Sequence, residues 1–201
     1  MDYKTDSNGS EAQIQINGQI KTLRLQMTGL HFIQNALGVL GVVLALGADV
    51  DKAIENLKTM SPLKGRGATL TLCINGKSIK FIDDAYNANP ASMAASLQVL
   101  GTYSGRKIAI LGDMKELGEQ SYALHTGLKD VIEKNSIDLV FTIGEEMKQL
   151  YDVLPSEIQG KAVSTTQDII TPLKEILQNG DTVLIKGSNS MKMNTILEEL
   201  R

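Results

Sequence analysis

Cysteine occurs once in these 201 residues, tryptophan not at all, proline four times, and aromatic side chains make up only 4%. A lone Cys73 excludes an intrachain disulfide and a cysteine-cluster metal site, and it suits a reducing cytoplasm. With so few rings the core must be aliphatic, which disfavours a binder that works by stacking bases. Neither sign of charge dominates. Lys+Arg 20 against Asp+Glu 23 gives −3, so the chain is neither a basic nucleic-acid arm nor a disordered charged tail. No apolar run approaches the roughly 18 residues of a membrane span. The longest, Ala36 to Ala48, covers 13 residues and holds three glycines. The opening Met1-Asp2-Tyr3-Lys4-Thr5-Asp6 has no signal-peptide core. What is present is a 42% hydrophobic share and 18 glycines, an ordinary globular composition. The length amounts to about one and a third domains at about 150 residues each.

The first ten residues show no apolar period and read as a loop. Ile14 and Ile16 alternate with glutamines, Asn17-Gly18 supplies a turn, and Ile20 to Leu25 continues extended, so a hairpin is expected. Leu30, Ile33, Leu37, Leu40 and Leu44 share one face of a helix ending at Gly47. Asp49 is the expected N-cap of a second helix with Ala53, Ile54 and Leu57 inward. The stretch Ser61-Pro62-Leu63-Lys64-Gly65-Arg66-Gly67 breaks all periodicity, and a domain boundary is placed there, giving domains 1–66 and 67–201.

Beyond it, Thr69 to Ile74 and Ser78 to Ile82 flank Asn75-Gly76 as a second hairpin. Asn89-Pro90 opens a helix carrying Met93, Leu97 and Leu100. Strands are expected at Lys107–Leu111, Leu139–Ile143, Ala162–Ser164 and Val183–Ile185. Helices are expected over Tyr122–Ile132, Glu145–Tyr151, Ile169–Leu177 and Met191–Leu200. Short apolar strands alternating with helices predict an α/β fold, a mostly parallel sheet covered on both faces.

Ligands of such sheets bind beyond the carboxyl ends of the strands. The unusual residues cluster in those loops: Asp83 to Asn89, Gly112 to Gly118, Gly144-Glu145-Glu146, and Lys186 to Ser190. Each enters a helix N-terminus, where backbone N–H groups favour anions. A polar crevice for a phosphate, a carboxylate or a peptide is therefore expected. Plainer readings stand beside this one. One of Asp83 and Asp84 could start an Asx-turn, Asn89 is explained as a cap, and Gly112 and Gly118 as turn residues. His125 reads as a half-buried structural histidine, Cys73 as a small core residue, and His31 lacks partners for a metal. Arg66, one cation between two flexible glycines, suits an anion clamp. No G-x-x-x-x-G-K-[ST], G-x-G-x-x-G or G-x-S-x-G occurs, so a phosphate loop, a nicotinamide site and a hydrolase elbow are not encoded here.

Three stretches carry a resemblance. They are Asp83-Asp84-Ala85-Tyr86-Asn87-Ala88-Asn89-Pro90-Ala91-Ser92-Met93, then Ile110 to Gly118 (ILGDMKELG), then Ile185 to Met193 (IKGSNSMKM). Together they resemble the carboxyl-terminal domain of the Mur ligases, in the branch that adds the terminal dipeptide to the peptidoglycan precursor. Gly29 to Leu37 (GLHFIQNAL) is similar to the G-x-H-N-x-x-N-A-L element late in the family's central ATPase domain. Lys64-Gly65-Arg66-Gly67 is similar to the arginine-bearing joint between the two. The resemblance implies a Rossmann-like carboxyl-terminal domain at 67–201, preceded at 1–66 by the last part of a central α/β ATPase domain. It implies a cytoplasmic ATP-dependent ligase that activates the UDP-N-acetylmuramoyl-tripeptide carboxylate as an acyl phosphate, which the amine of D-alanyl-D-alanine then attacks. Carried over by position, Asn35, Arg66 and Asp84 would contact ATP, and Asn87, Asn89, Lys186 and Ser188 the dipeptide. No catalytic residue and no metal ligand falls within this chain, because the family's phosphate loop and Mg²⁺ ligands lie upstream of the matching region. Phe32 departs from an asparagine of the family element, and Asn189 from an arginine. Without the phosphate cradle and metal, several kcal/mol of transition-state stabilisation is missing, on the order seen for such groups, so the chain alone is expected to be inactive. The rival expectation is a non-catalytic dipeptide-binding or complementation module that docks on a separate upstream polypeptide. The helix around Leu30 to Leu46, apolar over most of its surface, is its discriminating feature.

Overall fold

The computed structural model describes residues 2–201 and divides them into two compact units, 1–62 and 63–201. In the first, β1 (Asp2–Asp6), β2 (Gly9–Ile16) and β3 (Gln19–Leu25) form an antiparallel sheet. Asn17 and Gly18, both at positive φ, turn β2 into β3 as the Asn-Gly pair predicts. The expected loop at the start of the chain is instead β1 and the beginning of β2, paired from Asp2↔Gln13 to Asp6↔Gly9. An edge strand held by backbone bonds and facing mostly solvent carries no apolar period to read. Its turn is fixed locally, Asp6 Oδ1 accepting from Asn8 N at 2.8 Å.

Helices α1 (Leu30–Ala45) and α2 (Val50–Lys58) cover one face of that sheet, where Ala12, Ile14, Leu23 and Leu25 meet Ile33, Ala36, Leu40, Ile54 and Leu57. Asp49 caps α2, accepting from Lys52 N at 3.0 Å. Leu44, expected inward, is exposed, together with Val39, Val42 and Leu46. In the last turn of α1 only Val43 is even half-buried.

The second unit holds a six-stranded sheet in the order β4-β5-β9-β6-β7-β8. Its strands are β4 (Ala68–Ile74), β5 (Lys77–Asp84), β6 (Lys107–Gly112), β7 (Leu139–Ile143), β8 (Gln159–Val163) and β9 (Thr182–Lys186). Only the β4–β5 hairpin is antiparallel; the remaining pairs are parallel. Alternate residues feed two cores, the period-two rule at work on both faces. Ile108, Ile110, Val183 and Ile185 join the side chains of α7 (Ile170–Ile176) and α8 (Thr195–Glu199). Ala109, Leu111 and Leu184 join those of α3 (Pro90–Gly101), α5 (Leu128–Lys134) and α6 (Glu145–Val153). The mostly parallel α/β sheet with both faces covered is the fold expected.

Three boundaries differ most from expectation, and one burial differs with them. The helix expected over Tyr122–Ile132 divides at Gly127 into α4 (Ser121–Thr126) and α5, glycine being a poor helix former. Strand β8 begins earlier and excludes Ser164; Gln159 and Gly160 have no apolar side chain to announce it. The closing helix starts at Thr195 rather than Met191, because Lys192 takes a left-handed conformation after a single 3-10 turn. Cys73 is exposed. On β4, Leu70 and Leu72 lean on the core and Ile74 is buried in it, so Cys73 falls on the solvent side of the alternation.

Candidate functional site

Because β9, last in sequence, lies between β5 and β6, the carboxyl ends of β5, β9, β6 and β7 stand next to one another. Asp84 is in register with Lys186, Lys186 with Leu111, and Gly112 with Ile143. Asp113 continues the rim, donating its N–H to Ile143 O at 3.2 Å and accepting from Ser188 N at 3.0 Å. Asp84, Asp113 and Lys186 thus share one edge of one sheet.

The two adjacent acids do different work, since successive side chains point to opposite faces. Asp83 is buried, and its Oδ2 accepts from Gly65 N at 3.0 Å. Its backbone oxygen accepts from Gly67 N at 2.8 Å, while Tyr86 N donates to Gly65 O at 2.9 Å. The glycines flanking Arg66 are thus each tied by hydrogen bonds to the end of β5. Gly65 sits at φ +77° with room for no Cβ freely, the nearest atom being Tyr86 Cβ at 3.3 Å. The Arg66 side chain, exposed, lies over the Tyr86 ring with its guanidinium carbon 4.1 Å from the centroid.

Asp84 turns to the α3 side. Its Oδ2 accepts from Lys186 Nζ at 2.7 Å and from Ser96 Oγ at 2.5 Å. Lys186 also donates to Asn87 O at 3.0 Å, which ties down the loop before α3. The Lys186 side chain is 3% exposed and that of Asp84 20%. Asn89 caps α3 by accepting from Ser92 N at 2.8 Å, with Ser92 Oγ accepting from Asn89 N at 3.0 Å in return. Asn87 and Asn89 are exposed; Ser188 is buried and accepts from Lys115 N at 2.9 Å.

Two of the helix N-termini expected to attract an anion are already served, that of α3 by Asn89 and that of α6 by Asp113. Asp113 Oδ1 accepts from Met147 N at 2.8 Å and so caps α6 from another strand, while its Oδ2 pairs with Lys115 Nζ at 2.8 Å. His125 is fully buried rather than half-buried. Its Nε2 accepts from Met114 N at 3.0 Å, which leaves Nδ1 to donate to Ser121 O at 2.8 Å. Asn35 belongs to the first unit, exposed on α1. Among the described residues no group of three or more His, Cys, Asp or Glu could hold a metal ion. Asp83, Asp84 and Asp113 are engaged by protein donors, so these carboxylates do not fit a Mg²⁺ site and we derive no step through one. No helix of the described residues is long and apolar enough to cross a membrane.

Sequence reasoning marked the loops that hold Tyr86 and Lys115 but gave neither residue a role, and it passed over Ser96. Tyr86 carried a signal, as an aromatic inside a polar loop; Ser96, one turn into α3, carried none.

The fold defines an α/β domain of the Rossmann-like class with a polar rim along the carboxyl edge of its sheet. Residues 65–189 match the family model described as "Mur ligase, glutamate ligase domain", and the chain belongs to the Mur ligase family. It is 32% identical, over 98% of its length, to the UDP-N-acetylmuramoyl-tripeptide–D-alanyl-D-alanine ligase of Rickettsia prowazekii, covering 43% of that protein. The same ligase of Escherichia coli is 32% identical over 97% of the chain, which covers 42% of it. Among solved structures, MurF from Acinetobacter baumannii superimposes with a TM-score of 0.86 at 28% identity over 98% of this chain and 43% of that one. MurF ligase from Thermotoga maritima in complex with ADP gives 0.83 at 26% identity over 100% and 45%. The chain thus spans less than half the length of the relatives it matches.

Proposed function

We propose that this chain is the carboxyl-terminal part of an ATP-dependent ligase that joins D-alanyl-D-alanine to the UDP-N-acetylmuramoyl-tripeptide in the cytoplasm. In this reading residues 1–66 are the end of the central ATPase domain and 67–201 the carboxyl-terminal domain. The observation that carries it is the rim itself. Motif residues far apart in sequence, Asp84, Asp113 and Lys186, are hydrogen-bonded or in register along the ends of neighbouring parallel strands, and the relatives that the chain matches over nearly its whole length are named as D-alanyl-D-alanine-adding ligases.

Arg66 and Asp84 are assigned to ATP, with Asn35 at the adenine. Arg66 offers an exposed guanidinium that has no ion pair among the described residues. Asp84 keeps Oδ2 on Lys186 and Ser96, leaving Oδ1 to accept from a hydroxyl such as a ribose offers. Asn87, Asn89, Lys186 and Ser188 are assigned to the dipeptide side. Lys186 contributes by fixing the Asn87 backbone, Asn89 through the amide left over from its cap. The chain supplies positioning and closure but no phosphate cradle, so it forms no acyl phosphate alone. An assay with ATP, tripeptide precursor and dipeptide tests this. No phosphate release is expected, and release at the rate of a full-length ligase refutes it.

The second reading, a complementation module docking on a separate polypeptide, is favoured by one observation. Val39, Val42, Leu44 and Leu46 on and just after α1 are exposed, Val42 at 60%. Of these, Val39, Val42 and Leu46 recur at i, i+3 and i+7 and fall on one side of the helix, and exposed apolar side chains so grouped mark an interaction surface. Size-exclusion chromatography with and without a fragment carrying the amino-terminal domains of a relative tests it, and a well-behaved monomer that ignores that fragment rules it out.

A further inference from the structure

Arg66 owes its position to a residue that no assignment above includes. Three backbone-directed bonds dock the 65–67 segment on the end of β5: Gly65 N to Asp83 Oδ2, Gly67 N to Asp83 O, and Tyr86 N to Gly65 O. They fix where the Arg66 Cα stands but leave its four side-chain torsions undetermined. An exposed arginine on a rigid backbone would sample many rotamers, and binding an anion would cost the entropy of choosing one. The Tyr86 ring removes most of that choice. At 4.1 Å from the ring centroid, well inside the ~6 Å range of a cation–π contact, the guanidinium plane is held against a side chain that is itself 51% exposed. Tyr86 is anchored through its own backbone N–H to Gly65 O, next to Arg66 in the chain, which ties the ring's backbone to the segment that carries the cation.

We propose that Tyr86 is the positioning residue of Arg66, holding the guanidinium over its ring so that it meets the phosphate side of the nucleotide as a pre-set donor. The inference rests on the nucleotide reading of Arg66 given above. The contact uses the face of the ring rather than its hydroxyl, so phenylalanine serves as well as tyrosine and an aliphatic side chain does not. Because the ring is half in solvent and packs no core, its replacement leaves the fold intact.

The test titrates the 201-residue chain, free of magnesium and at fixed low ionic strength, with ADP as the probe. It compares the parent with Tyr86→Phe, Tyr86→Leu and Arg66→Ala, and follows the Arg66 side-chain NMR resonances in each. Parent and Tyr86→Phe are expected to show the ring-current shift on Arg66 and equal affinity. Tyr86→Leu should lose the shift and bind about two- to fivefold more weakly, the range of one exposed cation–π contact; Arg66→Ala should fall at least as far. If Tyr86→Leu binds like the parent while Arg66→Ala is weakened, the positioning role is overturned and the nucleotide reading stands. If Arg66→Ala binds like the parent, or the parent binds no ADP, the nucleotide reading of Arg66 falls and takes the positioning role with it.

Discussion

Replacing Gly144 with alanine probes whether the rim is held by the contacts described. Gly144 sits at φ 106°, ψ 166°, a region essentially reserved for glycine, where an L-residue costs about 1–3 kcal/mol. A Cβ there would also lie 2.4 Å from Asp113 Oδ2 and 2.5 Å from its Cγ and Oδ1. Asp113 is buried and cannot give way without releasing Met147 N, the α6 cap, at 2.8 Å. A lost cap costs about 1 kcal/mol, and a stranded buried N–H about as much again. Gly144→Ala is therefore expected to cost about 4 kcal/mol, half from the backbone and half from the displaced carboxylate. Asp113→Ala alone loses the cap and strands Met147 N, about 2 kcal/mol on the same figures, the half-exposed Lys115 pair that goes with it adding little. In the double variant the displacement has nothing left to displace, so the total stays near 4 rather than rising to about 6 kcal/mol, a coupling of about 2. Urea unfolding followed by far-UV circular dichroism, at unchanged slope, reads all four corners. Additivity within about 0.5 kcal/mol would show that Asp113 is not what the glycine makes room for.

Lys186→Met removes one partner of a buried ion pair, ordinarily a loss of about 3–5 kcal/mol. Asp84 is a fifth exposed and keeps Ser96, so about 2 kcal/mol is expected in thermal unfolding, and a loss under about 0.5 would place the pair in screened solvent. Tyr103 is 6% exposed, and burial raises its pKa above the ordinary 10.0. The folded state then holds that proton longer than the unfolded one, so stability present below pH 10 falls as pH climbs toward the folded pKa. Tyr103→Phe should flatten that alkaline fall in urea titrations, and an unchanged slope would refute the cause. Cys73, on the solvent side of β4, should react with an aromatic disulfide reagent at one thiol per native chain; reaction only after unfolding would return it to the core.

Local chemistry wrote much of this fold legibly. Asn17-Gly18 and Asn75-Gly76 fold as hairpins, Asp49 and Asn89 cap their helices, and β7 spans the residues its apolar run marks. What went unread lacked a side-chain signal. Strand β1 is polar on an edge, β8 opens on Gln159-Gly160, and the final helix is delayed by a left-handed Lys192 that no periodicity reveals.

The rim divides in the same way. Strand ends rich in acids, amides and glycine were visible as a set, because a parallel sheet gathers its carboxyl ends wherever the chain returns to it. The partners within the set were not. Asp83 and Asp84 are chemically alike and one residue apart, yet the pleat sends one to Gly65 and the other to Lys186, 102 positions away. An anion-seeking helix terminus likewise looks open in sequence until a carboxylate from another strand is found filling it, as Asp113 fills α6. Sequence alone determined which residue types border the site, since those follow from turns, caps and alternation within a few positions. Only the tertiary structure decided which of them hold one another and which still face outward, because β9 enters between β5 and β6 from the far end of the chain.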